Sequence, residues 1–168
     1  MRLTRWTPWV HDVLEGSPGI AGVRTFEAEG ITDPRFGHIL TLRTGAQISI
    51  QWVRSSPPSG DQSEEEAVVT GEPPASRVLP ELPTSGQTQL RLVEEHLVAL
   101  IANAASQGNP EIKSVEQKSV REDADPRRPC CVVVRLHNGS DVFGLFRGLA
   151  PAGASISHGG DFQQREEV

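Results

Sequence analysis

"DPRFGHILTLRTGAQISIQW", residues 33–52, is answered later in the chain by "DPRRPCCVVVRLHNGSDVFGLF", residues 125–146. Each stretch opens on Asp-Pro-Arg, becomes apolar, turns at a glycine and becomes apolar again. In the first, Ile39, Leu40 and Leu42 lead into a turn at 43–46. Ile48, Ile50 and Trp52 then leave it on one face, which is the period of a strand. In the second, Asn138-Gly139 is the strongest local turn signal in the chain. Both stretches read as β-hairpins, with Gly45 and Gly139 in equivalent places.

Working outward, each hairpin is preceded by a strand candidate and, before that, a helix. "GVRTFE" (22–27) parallels "EIKSVE" (111–116), with the first strand expected over 22–28. In "TRWTPWVHDVLEG", Trp6, Trp9, Val10, Val13 and Leu14 fall at helical spacing. Thr7 is the expected N-cap, with Pro8 at the first helical position and Gly16 at the end. In "TSGQTQLRLVEEHLVALIANAASQG", Leu90, Val93, Leu97, Leu100, Ile101 and Ala104 make an apolar stripe, and Gly108 suits the C-terminal cap.

The same order therefore occurs twice. It predicts an α+β protein built by internal duplication of an α-β-β-β unit. Each unit would form antiparallel strands with one helix, and a long Pro/Glu-rich connection would join them. The units are 1–54 and 87–149, the connection is 55–86, and 150–168 is an extended C-terminal arm without periodicity. A three-stranded sheet with one helix is marginal alone. The two units are expected to share a core or to lean on a partner.

The connection, "SSPPSGDQSEEEAVVTGEPPASRVLPELPTSG", holds six of the 13 prolines. Six acids against Arg77 give it a net charge of −5, out of −6 for the whole chain of 168 residues. It is longer than a crossing between units needs. Two short apolar runs inside it, around Val68 and Val69 and from Val78 through Leu79 to Leu82, suit docking to a protein surface. Trp6 and Trp9 read either as cover for the first sheet or as anchors for a partner. These seven residues are the candidate partner-binding set.

The charge balance lacks the basic footprint of a nucleic-acid binder, and nothing resembles a basic patch for anionic membranes. No signal peptide or membrane-spanning run is read. Fourteen of the 16 bases are arginine, the mark of a GC-rich bacterial or phage coding sequence. Cys130 and Cys131 are adjacent, so a disulfide between them is awkward, and they read as reduced strand residues.

The chemistry-bearing residues form no recognised motif. His11-Asp12 and Glu94-Glu95-His96 read as solvated helix faces, the latter acids opposing Arg91. Cys130 and His137 would stand roughly 23 Å apart along one strand, too far for a dyad. "SHGGDF" (157–162) is placed in the tail. The two Asp-Pro-Arg triplets read as loop punctuation, with Arg35 able to face an aspartate of the other unit. No catalytic residue, cofactor or metal is assigned.

The expectation is a non-enzymatic assembly protein of a multi-subunit particle. A bacteriophage virion protein (head, neck or tail) of an actinobacterial or other GC-rich host is the first choice, in the bacterial cytoplasm or the virion. Its partners would be other protein subunits, copies of itself among them. The alternatives are a soluble regulator or inhibitor that binds one protein, and a small enzyme or ligand-binding protein with its site between the two units.

Overall fold

The alternation over residues 37–54 and 131–150 does form two hairpins, and they meet edge to edge. The computed structural model describes residues 1–58, 60, 66, 68–123 and 129–156. Asp125-Pro126-Arg127 and "SHGGDF" lie outside the described residues. The elements run α1 (Leu3–Glu15), β1 (Ile20–Thr25), β2 (Gly37–Leu42), β3 (Gln47–Arg54), α2 (Leu90–Gly108), β4 (Ile112–Gln117), β5 (Cys131–Leu136) and β6 (Asp141–Ala150). The fold is α+β: a single six-stranded antiparallel sheet in the order β1-β2-β3-β6-β5-β4, with two helices.

The strand order has the same form from either edge. β3 and β6, the longest strands, pair along their whole length from Gln47↔Ala150 to Arg54↔Val142 and so seal the two halves into one sheet. The halves repeat one another's backbone hydrogen bonds. Leu42 N–H reaches Ala46 O at 2.8 Å, and Leu136 N–H reaches Ser140 O at 2.9 Å. Gly45 N–H returns to Leu42 O, and Gly139 N–H to Leu136 O. Both glycines have positive φ, 87° and 82°. Each hairpin loop therefore holds three residues and ends on a left-handed glycine. The Asn138-Gly139 signal marks the turn correctly, but His137 belongs to it as well.

The first strands match at a different offset from the expected one. β1 shifts register between Ile20 and Gly22, and β4 does so between Ile112 and Ser114. Ile20 thus stands where Ile112 stands, an offset of 112 − 20 = 92. Pairing Gly22 with Glu111 gives only 89, three residues out. β1 also ends at Thr25, before the expected 28, because Phe26 N–H closes onto Gly37 O and Glu29 and Gly30 turn back onto 25–27.

The core lies between the helices and one face of the sheet. Leu40, Leu42, Ile48, Ile50 and Trp52 from the first hairpin meet Val132, Val134, Val142 and Phe146 from the second. Trp6, Val10 and Leu14 of α1 close over them. α1 begins at Leu3, with Arg2 as its N-cap and Pro8 inside it, so Thr7 does not cap it and Pro8 is not its first residue. Tertiary contacts explain the earlier start. Met1 is buried, its ammonium pairs with Glu66 and Glu111 at 3.0 and 3.3 Å, and Arg5 pairs with the same two carboxylates. The helix runs through Pro8 without the backbone bond that a proline cannot donate.

α2 is buried over more of its circumference than one stripe. Glu94, His96, Val98, Ala99, Ala102 and Ala105 join Leu90, Val93, Leu97 and Ile101 inside, whereas Leu100 and Ala104 are half-buried. Its C-cap is Asn109, and Gly108 is still helical. Part of the wider burial comes from the chain between β3 and α2, which is hydrogen-bonded to His96, Asn103 and Ser106, and Glu94 is covered instead by the residues after β4 and at the start of β5.

Candidate functional site

In its described residues the connection carries neither helix nor strand, yet it is tied to its own chain at short intervals. Ser55 shares hydrogen bonds with the backbone of Asp141. Gly71 N–H donates to Pro110 O at 2.9 Å, and His137 Nε2 meets Glu72 O at 3.0 Å. Asn103 on α2 clamps the backbone of Arg77 from both sides: its Oδ1 accepts from Arg77 N–H at 2.6 Å, and its Nδ2 donates to Arg77 O at 2.9 Å. The Arg77 guanidinium reaches Val115 O at 2.8 Å. Residues 68–86 are a strap laid along α2.

A buried polar chain fastens the strap's far end. His96 Nδ1 lies 2.6 Å from Pro80 O, which can only accept, so Nδ1 carries the proton. Nε2 then accepts from the Ser17 hydroxyl at 2.7 Å, and Ser17 Oγ accepts from Gly19 N–H. Burial holds the His96 imidazole below its ordinary value. A serine hydroxyl on a histidine that is itself oriented has the connectivity of a nucleophile–base pair. Here both residues are buried and Leu82 packs directly on Gly19, so the pair acts as a staple. His96 is therefore not the solvated residue its sequence neighbours suggest.

The seven candidate partner-binding residues divide. Val78 is 92% exposed, Val68 56% and Val69 42%. Leu79 is half-buried. Leu82 and Trp6 belong to the core, and Trp9 packs partly buried against it, 5.2 Å from Trp6. Trp6 and Leu82 offer no surface to a partner, because their side chains are consumed by contacts within the chain. Three exposed valines remain, displayed by a segment that is otherwise pinned.

The cysteines hold no nucleophile. Burial first, and then the negative charge of Glu94, push both thiols up to about 12. At neutral pH they stay as thiols, which are poor nucleophiles.

A second region was not legible as a site. A cleft of about 450 Å³ opens between α1 and the end of β1, with Thr4, Thr7 and His11 on one wall and Thr25, Glu27 and Arg35 on the other. His11 is stacked on His38, ring centres 5.4 Å apart. His38 is fully buried, and its Nδ1 accepts from Trp52 Nε1–H at 2.8 Å. Protonating Nδ1 would set two donors face to face. Burial, with His11 adding a smaller contribution, holds His38 down to about 4. The missed signal was parity: His38 sits two residues before Leu40 and shares its inward face.

A cleft of about 390 Å³ occupies the corresponding place in the second half, between α2 and the end of β4, lined by Gln117 and Ser119. The junction of the two halves is instead filled by core side chains such as Ile50, Trp52 and Phe146. The two clefts lie beside the helices. Arg35 reaches no aspartate among the described residues, and its guanidinium rests over the Phe36 ring at 5.5 Å. No group of three or more His, Cys, Asp or Glu among the described residues could hold a metal ion. No helix among them is long and apolar enough to cross a membrane.

Comparison with known proteins finds no matching family model, no matching curated protein and no matching solved structure.

Proposed function

We propose that this chain is a non-catalytic protein-binding component of a multi-subunit particle, with the strap as its docking element. The observation that carries this reading is Val78. A valine that is 92% exposed sits between anchored neighbours, Arg77 held by Asn103 and Pro80 by His96. Ordering an extended segment before binding removes the entropy that a free arm loses on docking. Val68 and Val69 extend the same apolar display. A bacteriophage virion protein of a GC-rich host is the class we favour, on the arginine-rich composition.

We also read the two halves as products of an internal duplication. The repeated loop hydrogen bonds, the paired left-handed glycines and the matched register shifts support it. A second functional reading, a regulator that binds one protein, is favoured by a different fact: the strap is hydrogen-bonded along its own chain, at Pro110, Asn103 and His96.

A photo-crosslinking residue at position 78, introduced in the native host, tests the proposal. Adducts to one discrete protein are expected from position 78 and not from exposed Glu95. Light scattering of the purified complex then separates a repeating assembly from a one-to-one pair. Equal labelling from both positions, or none from 78, overturns the reading.

A further inference from the structure

We propose that the outer edge of β1, with Asp12 on the helix packed against it, holds an extended segment of a partner protein through an arginine of that segment. This surface is separate from the strap's exposed valines, and the proposal does not rest on them.

The second half of the chain supplies the pattern, because there the strap occupies the corresponding edge. β4 ends the sheet on one side as β1 ends it on the other. Lys118 N–H bonds to Cys131 O, so Glu116 and Ser114 also turn their backbone groups towards β5, and Val115 turns its own outward. The outward carbonyl of Val115 takes the Arg77 guanidinium at 2.8 Å. Asn103, on the helix packed against β4, grips the backbone of the same arginine. One arginine of an extended segment thus ties a helix to a strand edge.

The first half has the same edge without the arginine. Phe26 N–H bonds to Gly37 O, so Arg24 and Gly22 face β2 and Val23 faces out. With Ile20 standing where Ile112 stands, Val23 stands where Val115 does. α1 packs on β1 as α2 packs on β4. Asn103 lies two residues before Ala105, the last buried residue of α2, and Asp12 lies two before Leu14, the last buried residue of α1. Among the described residues nothing bonds to the Val23 amide or carbonyl or to the Asp12 carboxylate. A bare strand edge is a template for another chain. Ala21, Gly22 and Arg24 are exposed, so a segment has room to lie along β1, and Arg24 is paired with Glu29 at 2.9 Å.

The change from Asn103 to Asp12 narrows the occupant. Asn103 donates and accepts, and so holds a backbone from two sides. Asp12 only accepts, and so does the Val23 carbonyl. Together they call for a side chain with several donors and a positive charge, which is a guanidinium. Exposed Glu15 adds negative charge three residues further along α1. The net charge of −6 favours encounter with a basic segment.

The probe is the acetylated, amidated peptide Ala-Ser-Arg-Val-Leu, the sequence of strap residues 75–79. It is titrated into the intact protein and read by backbone amide shifts. Saturable shifts of the Val23 and Thr25 amides are expected. Norleucine in place of the peptide's arginine, and Asp12→Ala in the protein, should each weaken binding roughly tenfold. Asp12 is exposed and its carboxylate has no partner among the described residues, so Asp12→Ala is expected to unfold at the wild-type temperature. Shifts at Asn103 and Val115 with none at Val23 would mean that the peptide only displaces the strap. That result, a flat titration at millimolar peptide, or equal affinity for the norleucine peptide overturns the proposal.

Discussion

Glu94→Ala is expected to destabilise the protein by roughly 3–5 kcal/mol, the cost of stripping a buried charged acceptor from its donors. Glu94 is fully buried on α2. Its Oε1 accepts from the backbone N–H of Lys118, Ser119 and Cys131 at 3.0, 3.2 and 2.8 Å. Its other oxygen accepts from the Ser119 hydroxyl. One side chain therefore gathers the end of β4 and the start of β5 beneath the helix. Alanine leaves three backbone donors without the acceptor that the fold provides for them. For a domain of this size the loss corresponds to a fall in Tm of roughly 10 °C or more. Glu94→Gln keeps a carbonyl oxygen for the N–H groups and an amide donor for Ser119, so about 1–2 kcal/mol is expected there. Thermal denaturation of the two variants checks both values. Equal losses would mean that the negative charge, rather than the acceptor geometry, holds this corner.

Trp52→Ala should cost a similar amount, roughly 3–5 kcal/mol, for a different reason. Trp52 is 2% exposed and packs edge-on to Trp6, ring centres 5.3 Å apart. Its ring lies so close over Gly144 that a Cβ there would be 2.5 Å from it. The chain thus keeps a glycine in a central strand to admit an indole, and alanine at 52 leaves a cavity that neighbours cannot fill. Trp52→Phe should recover most of the packing and lose chiefly the N–H donated to His38.

That donor also sets an acid limit on stability. The folded-state value of His38, about 4, is depressed below the 6.5 of the unfolded chain. Its contribution is therefore complete above pH 6.5 and is lost as pH falls from 6.5 towards 4, by up to about 3 kcal/mol. His96, also held low by burial, acts in the same direction. In Trp52→Ala the Nδ1 acceptor is freed and its surroundings loosen, so the slope of stability against pH between 6.5 and 4 should flatten. Urea midpoints measured across that range give the slope directly.

The parts of the fold set by local periodicity were readable from the residues. The alternation in 39–52, the glycines at 45 and 139 and the helical spacing from Leu90 to Ile101 each determine their element with short-range physics alone. The start of α1 was not readable, because it depends on Glu66 and Glu111 meeting the N-terminus from far along the chain. The strap was unreadable for a related reason. Its composition is that of a free tether, and the groups that hold it, His96 and Asn103, lie on a helix face that sequence spacing assigns to water. Polar groups there bind backbone carbonyls and amides, an interaction that leaves no apolar pattern. Beside the cleft, only the inward parity of His38 could be read; its stacking on His11 and the meeting of Arg35 and Glu27 on one wall require the tertiary fold.

Residues 68–86 are fixed to their own chain and so display Val78. Hydrogen–deuterium exchange read across 69–82 measures it. Protection of the Gly71 and Arg77 amides well above the unstructured rate is predicted, since they donate to Pro110 O and Asn103 Oδ1. Exchange of the whole segment at the rate of an unstructured peptide would mean that the strap is not held and that Val78 is not displayed.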